Sequence, residues 1–167
     1  MNYKIVTLEN IKLIGFIKEF NNENSYIEIP KFWNEIFEKF NNDSINNEFK
    51  KSIIENSIGE YALCIDDYSN TCFKYMIAGK YNGGYIPDGM IIYDLPKLTF
   101  AIFDCIGPNP ETLQSINTRI FNEWLPNNGK YEMSLKLNLE WYSPIGNIDD
   151  IDYHSQIWIP VKEKINN

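Results

Sequence analysis

One order of local patterns occurs twice along this chain: a strand-like run, an amphipathic helix, then two more strand-like runs. In the first copy, Tyr3 to Phe20 alternates as a strand does, with Ile11, Leu13, Gly15 and Ile17 on one face and Lys12, Ile14, Phe16 and Lys18 on the other. Phe32, Trp33, Ile36, Phe37 and Phe40 then recur at the spacing of one helical stripe, with Pro30 placed in the first turn, where a missing N–H costs nothing. A weaker helical stretch covers Phe49 to Glu55. Ile58–Ile65 and Cys72–Tyr81 read as a hairpin across the turn-rich segment 66–70.

The second copy begins with the strand Leu98–Ile106. Gly107 to Pro110 ends it and opens a helix with Asn109 as cap and Pro110 in the first turn, and Leu113, Ile116, Ile120 and Trp124 form its apolar stripe. Pro126 to Gly129 closes the helix. Two strands, Glu132–Tyr142 and Tyr153–Val161, flank the loop Ser143–Asp152. Trp33 and Trp124 take matching helical places. The expected fold is therefore α+β, built from duplicated strand-helix-hairpin units of about 1–90 and 91–167 within one domain. Two small sheets joined edge to edge form an antiparallel sheet with helices on one face. The opposite face is left concave, and a ligand cleft is expected there.

A length of 167 residues suits one domain with a sizeable core. Its 15 basic against 23 acidic side chains give a net charge of −8, which repels nucleic-acid phosphates and anionic membrane surfaces and favours cationic ligands or basic protein partners. Cys64, Cys72 and Cys105 show no C-x-x-C spacing and lie in apolar runs, as reduced structural thiols of a cytoplasmic protein would. The amino terminus has no signal-peptide pattern, and no apolar stretch approaches the roughly 20 residues of a membrane span.

Few residues invite chemistry. His154 is the one histidine, so neither a metal site nor a Ser-His-Asp triad is supported. No glycine-rich phosphate loop occurs, and no cofactor is indicated. Alternation along the run from Leu135 to Tyr142 places Leu135, Leu137, Leu139 and Trp141 together, expected toward the helices. Lys136, Asn138, Glu140 and Tyr142 then turn the other way, which puts Glu140 in the cleft. A carboxylate among aromatic walls is costly until a cation compensates it. In the last strand, Trp158 lies opposite the β-branched set Ile157, Ile159 and Val161, on the non-core face. Tyr61 and Tyr75 are the aromatic members of the first hairpin, with faces that alternation leaves open. Two or three such rings at roughly 0.5–2 kcal/mol each, with one carboxylate and buried apolar area, support micromolar binding of a cation.

Several segments, in order, resemble the GyrI-like small-molecule-binding domain, the effector-binding domain of bacterial transcription activators. They are Ile58-Gly59-Glu60-Tyr61, Phe73 to Gly79, Ile86-Pro87-Asp88-Gly89-Met90, Leu95 to Phe103, Glu123-Trp124-Leu125-Pro126, Leu139-Glu140-Trp141-Tyr142, and Ile157-Trp158-Ile159-Pro160-Val161. The resemblance implies an SHS2-like duplicated fold whose central cleft binds lipophilic, often cationic compounds against a glutamate on the penultimate strand. Glu140 matches that glutamate, and Trp158 matches the aromatic of the closing segment. Tyr61, Tyr75, Phe103 and Tyr142 fall in matching segments. No residues are left over for a helix-turn-helix, so a complete one-component regulator is not expected.

The leading functional expectation is a free-standing protein that binds amphipathic aromatic cations, as drug sensor or sequestering protein, through Glu140, Trp158, Tyr75 and Tyr142. A second is hydrolysis of cyclopropane-containing genotoxic compounds, as some GyrI-like proteins perform, with Glu140 as base and Tyr142 or Tyr75 as donor. A third is an acidic interaction module for a topoisomerase or a DNA-binding regulator.

Overall fold

A computed structural model describes residues 1–42, 44–66 and 71–165. Among these are nine strands and three helices, an α+β fold with antiparallel pairing throughout. The chain divides into two compact units, Ile11–Leu95 and Met1–Asn10 with the residues from Pro96 onward. No described helix is long and apolar enough to cross a membrane.

The first unit contains β2 (Ile11–Asn21), α1 (Ser25–Asn41), α2 (Asn47–Glu55), β3 (Tyr61–Asp66), β4 (Cys72–Lys80) and β5 (Ile91–Leu95), with strand order β3-β4-β2-β5. The second unit takes β1 (Tyr3–Leu8) from the start of the chain. It adds β6 (Leu98–Ile106), α3 (Glu111–Arg119), β7 (Tyr131–Met133), β8 (Leu137–Tyr142) and β9 (His154–Glu163), in the order β8-β9-β6-β1 with β7 also on β9. Each unit is thus a strand, a helical segment and a hairpin, closed by a fourth strand beside the first. That fourth strand is β5 in one unit and β1 in the other.

Several local expectations change. The run Tyr3 to Phe20 is two strands, because it breaks at Glu9-Asn10 and its halves join different units. Helix α1 begins at Ser25, so Pro30 lies in its second turn, where the lost N–H leaves only a carbonyl near exposed Tyr26. Asn109 does not cap α3. Its Nδ2 instead donates to Ser155 Oγ at 3.1 Å, and Pro110 takes the cap position. Of the hairpin turn at 66–70, residues 67–70 lie outside the described set.

Helix α3 continues through a π-helical stretch, Ile120–Trp124, into a last turn, Leu125–Asn127. The wider coil accommodates Pro126, which has no N–H to give to the carbonyl four residues back. The stripe reaches the core as expected: Leu113 and Ile120 are buried and Ile116 and Trp124 partly so. They pack against Ala101, Phe103, Cys105, Ile157, Ile159 and Val161. Tyr3 of β1 joins this cluster, its ring 5.4 Å from Phe103 and 5.0 Å from Trp124.

Candidate functional site

In the second unit the odd residues of β6 and β9 face α3, because Ala101, Phe103, Cys105, Ile157, Ile159 and Val161 form the cluster under that helix. Antiparallel partners share a face. Glu140 pairs with Ile157, which pairs in turn with Phe103, and Tyr142 pairs with Ser155, which pairs with Cys105. Glu140 and Tyr142 therefore lie on the helix side of the sheet. Asn138 agrees, since its Nδ2 donates to Asn117 Oδ1 of α3 at 3.3 Å. The expected face is overturned: Leu139 and Trp141 stand with Trp158 and Gln156 on the opposite side.

The reason is a three-residue bend. Met133 faces Val161 and Leu139 faces Trp158, so six residues of one arm span three of the other. Segment 134–136, between β7 and β8, carries the excess. An odd insertion exchanges the faces of everything beyond it. Leu135, expected in the core, is left exposed at the bend.

On the helix face, the Tyr142 hydroxyl donates to Glu140 Oε2 at 2.8 Å, and both residues are half-buried. The carboxylate acts on its surroundings. Burial first, then the charges of Asp104 and Glu140, push the Cys105 thiol up to about 12. Asn138 Oδ1 and Asn109 Oδ1 are buried, and neither accepts a hydrogen bond from the described residues. Phe103 is fully buried, its ring packed against Tyr3 and Trp124, in the core at the far end of the cross-strand row Glu140–Ile157–Phe103.

Trp158 belongs to another arrangement. It is 8% exposed and packs edge-on against Phe100 at 5.8 Å, on a face where Ile102 and Leu139 are also buried. Its Nε1 donates to Gln156 Oε1 at 2.9 Å, and Gln156 Nε2 donates to Asp104 Oδ1 at 2.8 Å. Glu140 and Trp158 thus occupy opposite faces of one sheet and cannot grip one side of a small ligand together.

The first unit settles the two tyrosines. Phe20 and Lys18 of β2 meet Phe32 and Glu35 of α1, which marks their side as the helix face, and Tyr75 pairs with Lys18. Trp33 Nε1 of α1 donates to the Tyr75 hydroxyl at 3.4 Å. Tyr61 pairs with Ala78 and lies on the other face, with Lys80 Nζ 5.7 Å from its ring. Trp33 was read only as part of the helical stripe. Its contact with Tyr75 depends on a helix-to-strand approach that periodicity does not encode.

Neither of two open surface hollows is lined by Glu140. One, of about 540 Å³, is in the first unit beside Ile17, Lys74 and Tyr93, and the other, of about 730 Å³, is in the second beside Tyr3, Arg119 and Trp124. Among the described residues no group of three or more His, Cys, Asp or Glu side chains is placed to hold a metal ion.

A family model described as Cass2, integron-associated effector binding protein, matches residues 4–161. No curated protein matches the chain in sequence. Among solved structures, SAV2435 bound to tetraphenylphosphonium is similar at 20% identity and a TM-score of 0.78, over 97% of this chain and 94% of that one. An integron cassette protein from the mobile metagenome of Vibrio cholerae is similar at 11% identity and 0.68, over 96% and 95%. The EcmrR C-terminal domain is similar at 16% identity and 0.60, over 98% and 100%. At these identities the three structures speak for the fold.

Proposed function

The chain belongs to the Cass2 family of integron-associated effector-binding proteins, and from that premise we propose that its effector is a lipophilic organic cation held against Glu140. The observation that carries the reading is the Glu140–Tyr142 pair. A half-buried carboxylate is held in place by a phenol at 2.8 Å, on the face that also carries the apolar cluster under α3. Away from bulk water a carboxylate and a cation attract more strongly than at an exposed surface, and apolar groups around the cation add hydrophobic area. Tyr142 fixes the carboxylate without neutralising it. That SAV2435 has been captured with tetraphenylphosphonium supports this choice of ligand class. The common strand order of the two units supports duplication of an SHS2-type unit as the origin of the fold. A sensing or sequestering role follows from such binding.

Titration of tetraphenylphosphonium, followed by tryptophan fluorescence, tests this. Glu140→Gln is expected to weaken binding about tenfold or more, since loss of a partly buried ionic contact costs at least about 1.4 kcal/mol. Tyr142→Phe is expected to weaken it by less. Equal affinity of wild type and Glu140→Gln would remove the carboxylate from the account. The same pair has the acid and base that a hydrolytic reading needs. Incubation with a cyclopropane-containing substrate separates that reading, because only catalysis gives product beyond one equivalent.

A further inference from the structure

We propose that the Glu140 site selects cations bearing N–H donors, such as protonated amines and amidinium groups, over permanently alkylated onium ions, and that Asn138 makes the selection. This rests on the cation-binding reading above and narrows it. Asn138 and Glu140 are two residues apart on β8 and share the helix face, so their side chains stand roughly 7 Å apart along the strand. Asn138 uses its amide nitrogen on Asn117 Oδ1, and its own Oδ1 is buried and accepts nothing from the described residues. A buried acceptor without a donor is a standing cost that folding does not recover. At the far end of the same row Tyr142 pairs across the sheet with Ser155, which receives the Asn109 amide, and Asn109 Oδ1 is a second buried oxygen in that condition. Asn109 is 5% exposed.

The helix face of β8 therefore offers a carboxylate followed by an acceptor that only a donor can satisfy. An amidinium lying along the strand, or a primary ammonium between side chains that turn toward each other, places one N–H on Glu140 and another on the Asn138 Oδ1 that neighbouring groups now cover. A quaternary ammonium or phosphonium satisfies the charge and leaves the amide oxygen orphaned. A purely apolar pocket with one carboxylate would choose the other way, because an ammonium with N–H groups is the more costly ion to strip of water.

The experiment compares 3,3-diphenylpropylammonium with its N,N,N-trimethyl derivative, using wild type, Asn138→Leu, Asn138→Asp and Glu140→Gln. Wild type is expected to bind the primary ammonium about tenfold more tightly, the factor expected of one buried acceptor satisfied or left unsatisfied. In Asn138→Leu the preference shrinks by about that factor. Asn138→Asp gives up the donation to Asn117 but keeps an acceptor, and keeps the preference. An affinity ratio that is the same in wild type and Asn138→Leu, or a wild type that favours the trimethyl compound, overturns the proposal. If Glu140→Gln weakens neither ligand, the cation-binding reading itself fails, and that result is independent of the ratio.

Discussion

Cys105 reports on the charge that the proposed site depends on. Its thiol is pushed from an ordinary 9.0 up to about 12 by burial, with Asp104 and Glu140 adding and a hydrogen bond with the Ile157 backbone opposing. Tyr61 is likewise pushed from 10.0 up to about 12, by burial first and by Glu60 second. Both groups keep a proton in the folded protein that the unfolded chain releases at lower pH. Stability is therefore complete below about pH 9 and declines as pH climbs toward 12. Urea midpoints are expected to be flat between about pH 7 and 8.5 and to fall above that range. Replacing Cys105 by Ala should flatten the first part of the fall. In Glu140→Gln one of the charges that discourages the thiolate is gone, so ultraviolet titration should find Cys105 ionising at lower pH than in wild type. A thiol that titrates identically in both proteins would mean that the carboxylate does not face it.

Close approach, more than propensity, governs how the helices meet the sheets. A Cβ built on Gly79 of β4 would lie 1.8 Å from the carbonyl oxygen of Asn56, at the end of α2. Asn56 cannot yield, because its amide donates to the Ser52 carbonyl at 2.9 Å and its Oδ1 accepts from the Asn82 backbone at 3.1 Å. Gly79→Ala should therefore cost about 3 kcal/mol or more, an overpacking penalty with backbone on the other side. Gly83→Ala, with open space and a positive φ of 96°, should cost only about 1–2 kcal/mol. Chemical denaturation of the two variants checks the difference, and similar losses would show that α2 can move away from β4.

The same scale separates what was legible in the sequence from what was not. Strand β6 and the stripe of α3 were read at their true positions, because β6 is a nearly continuous apolar run that stops at Gly107 to Pro110 and α3 has a single apolar stripe that ends near Pro126. Alternation correctly grouped Glu140 with Tyr142 and Leu139 with Trp141. It did not say which group faces the helix, because polar and apolar residues alternate unbroken from Glu132 to Glu140, straight through the bend at 134–136. Both faces of that sheet are buried near β9, with Ile157 at 1% on one side and Trp158 at 8% on the other, so hydrophobicity gave no second signal. Strand β5 went unread for a different reason. Its five residues pair with β2, some 80 positions earlier in the chain, and local pattern carries no trace of that partner.

At the scale of the whole molecule, two electrostatic effects act on an approaching cation, and they differ in range. The net charge of −8 sets up a long-range field that gathers cations from solution. That field is screened over about 10 Å at 0.1 M salt and about 3 Å at 1 M. The contact proposed at Glu140 would be made by a half-buried carboxylate, which salt reaches far less. Two independent handles follow. Raising sodium chloride from about 0.05 to 0.5 M should slow tetraphenylphosphonium association and weaken its affinity a few-fold, by a similar factor in wild type and in Glu140→Gln. The substitution should lower affinity at every salt concentration, chiefly through faster dissociation. Stopped-flow fluorescence across the salt series resolves the two rates. Parallel lines for the two proteins on a plot of log affinity against log salt are the expected result. Lines that converge at high salt would assign the role of Glu140 to the general acidity of the surface, and a carboxylate in contact with the ligand would no longer be needed.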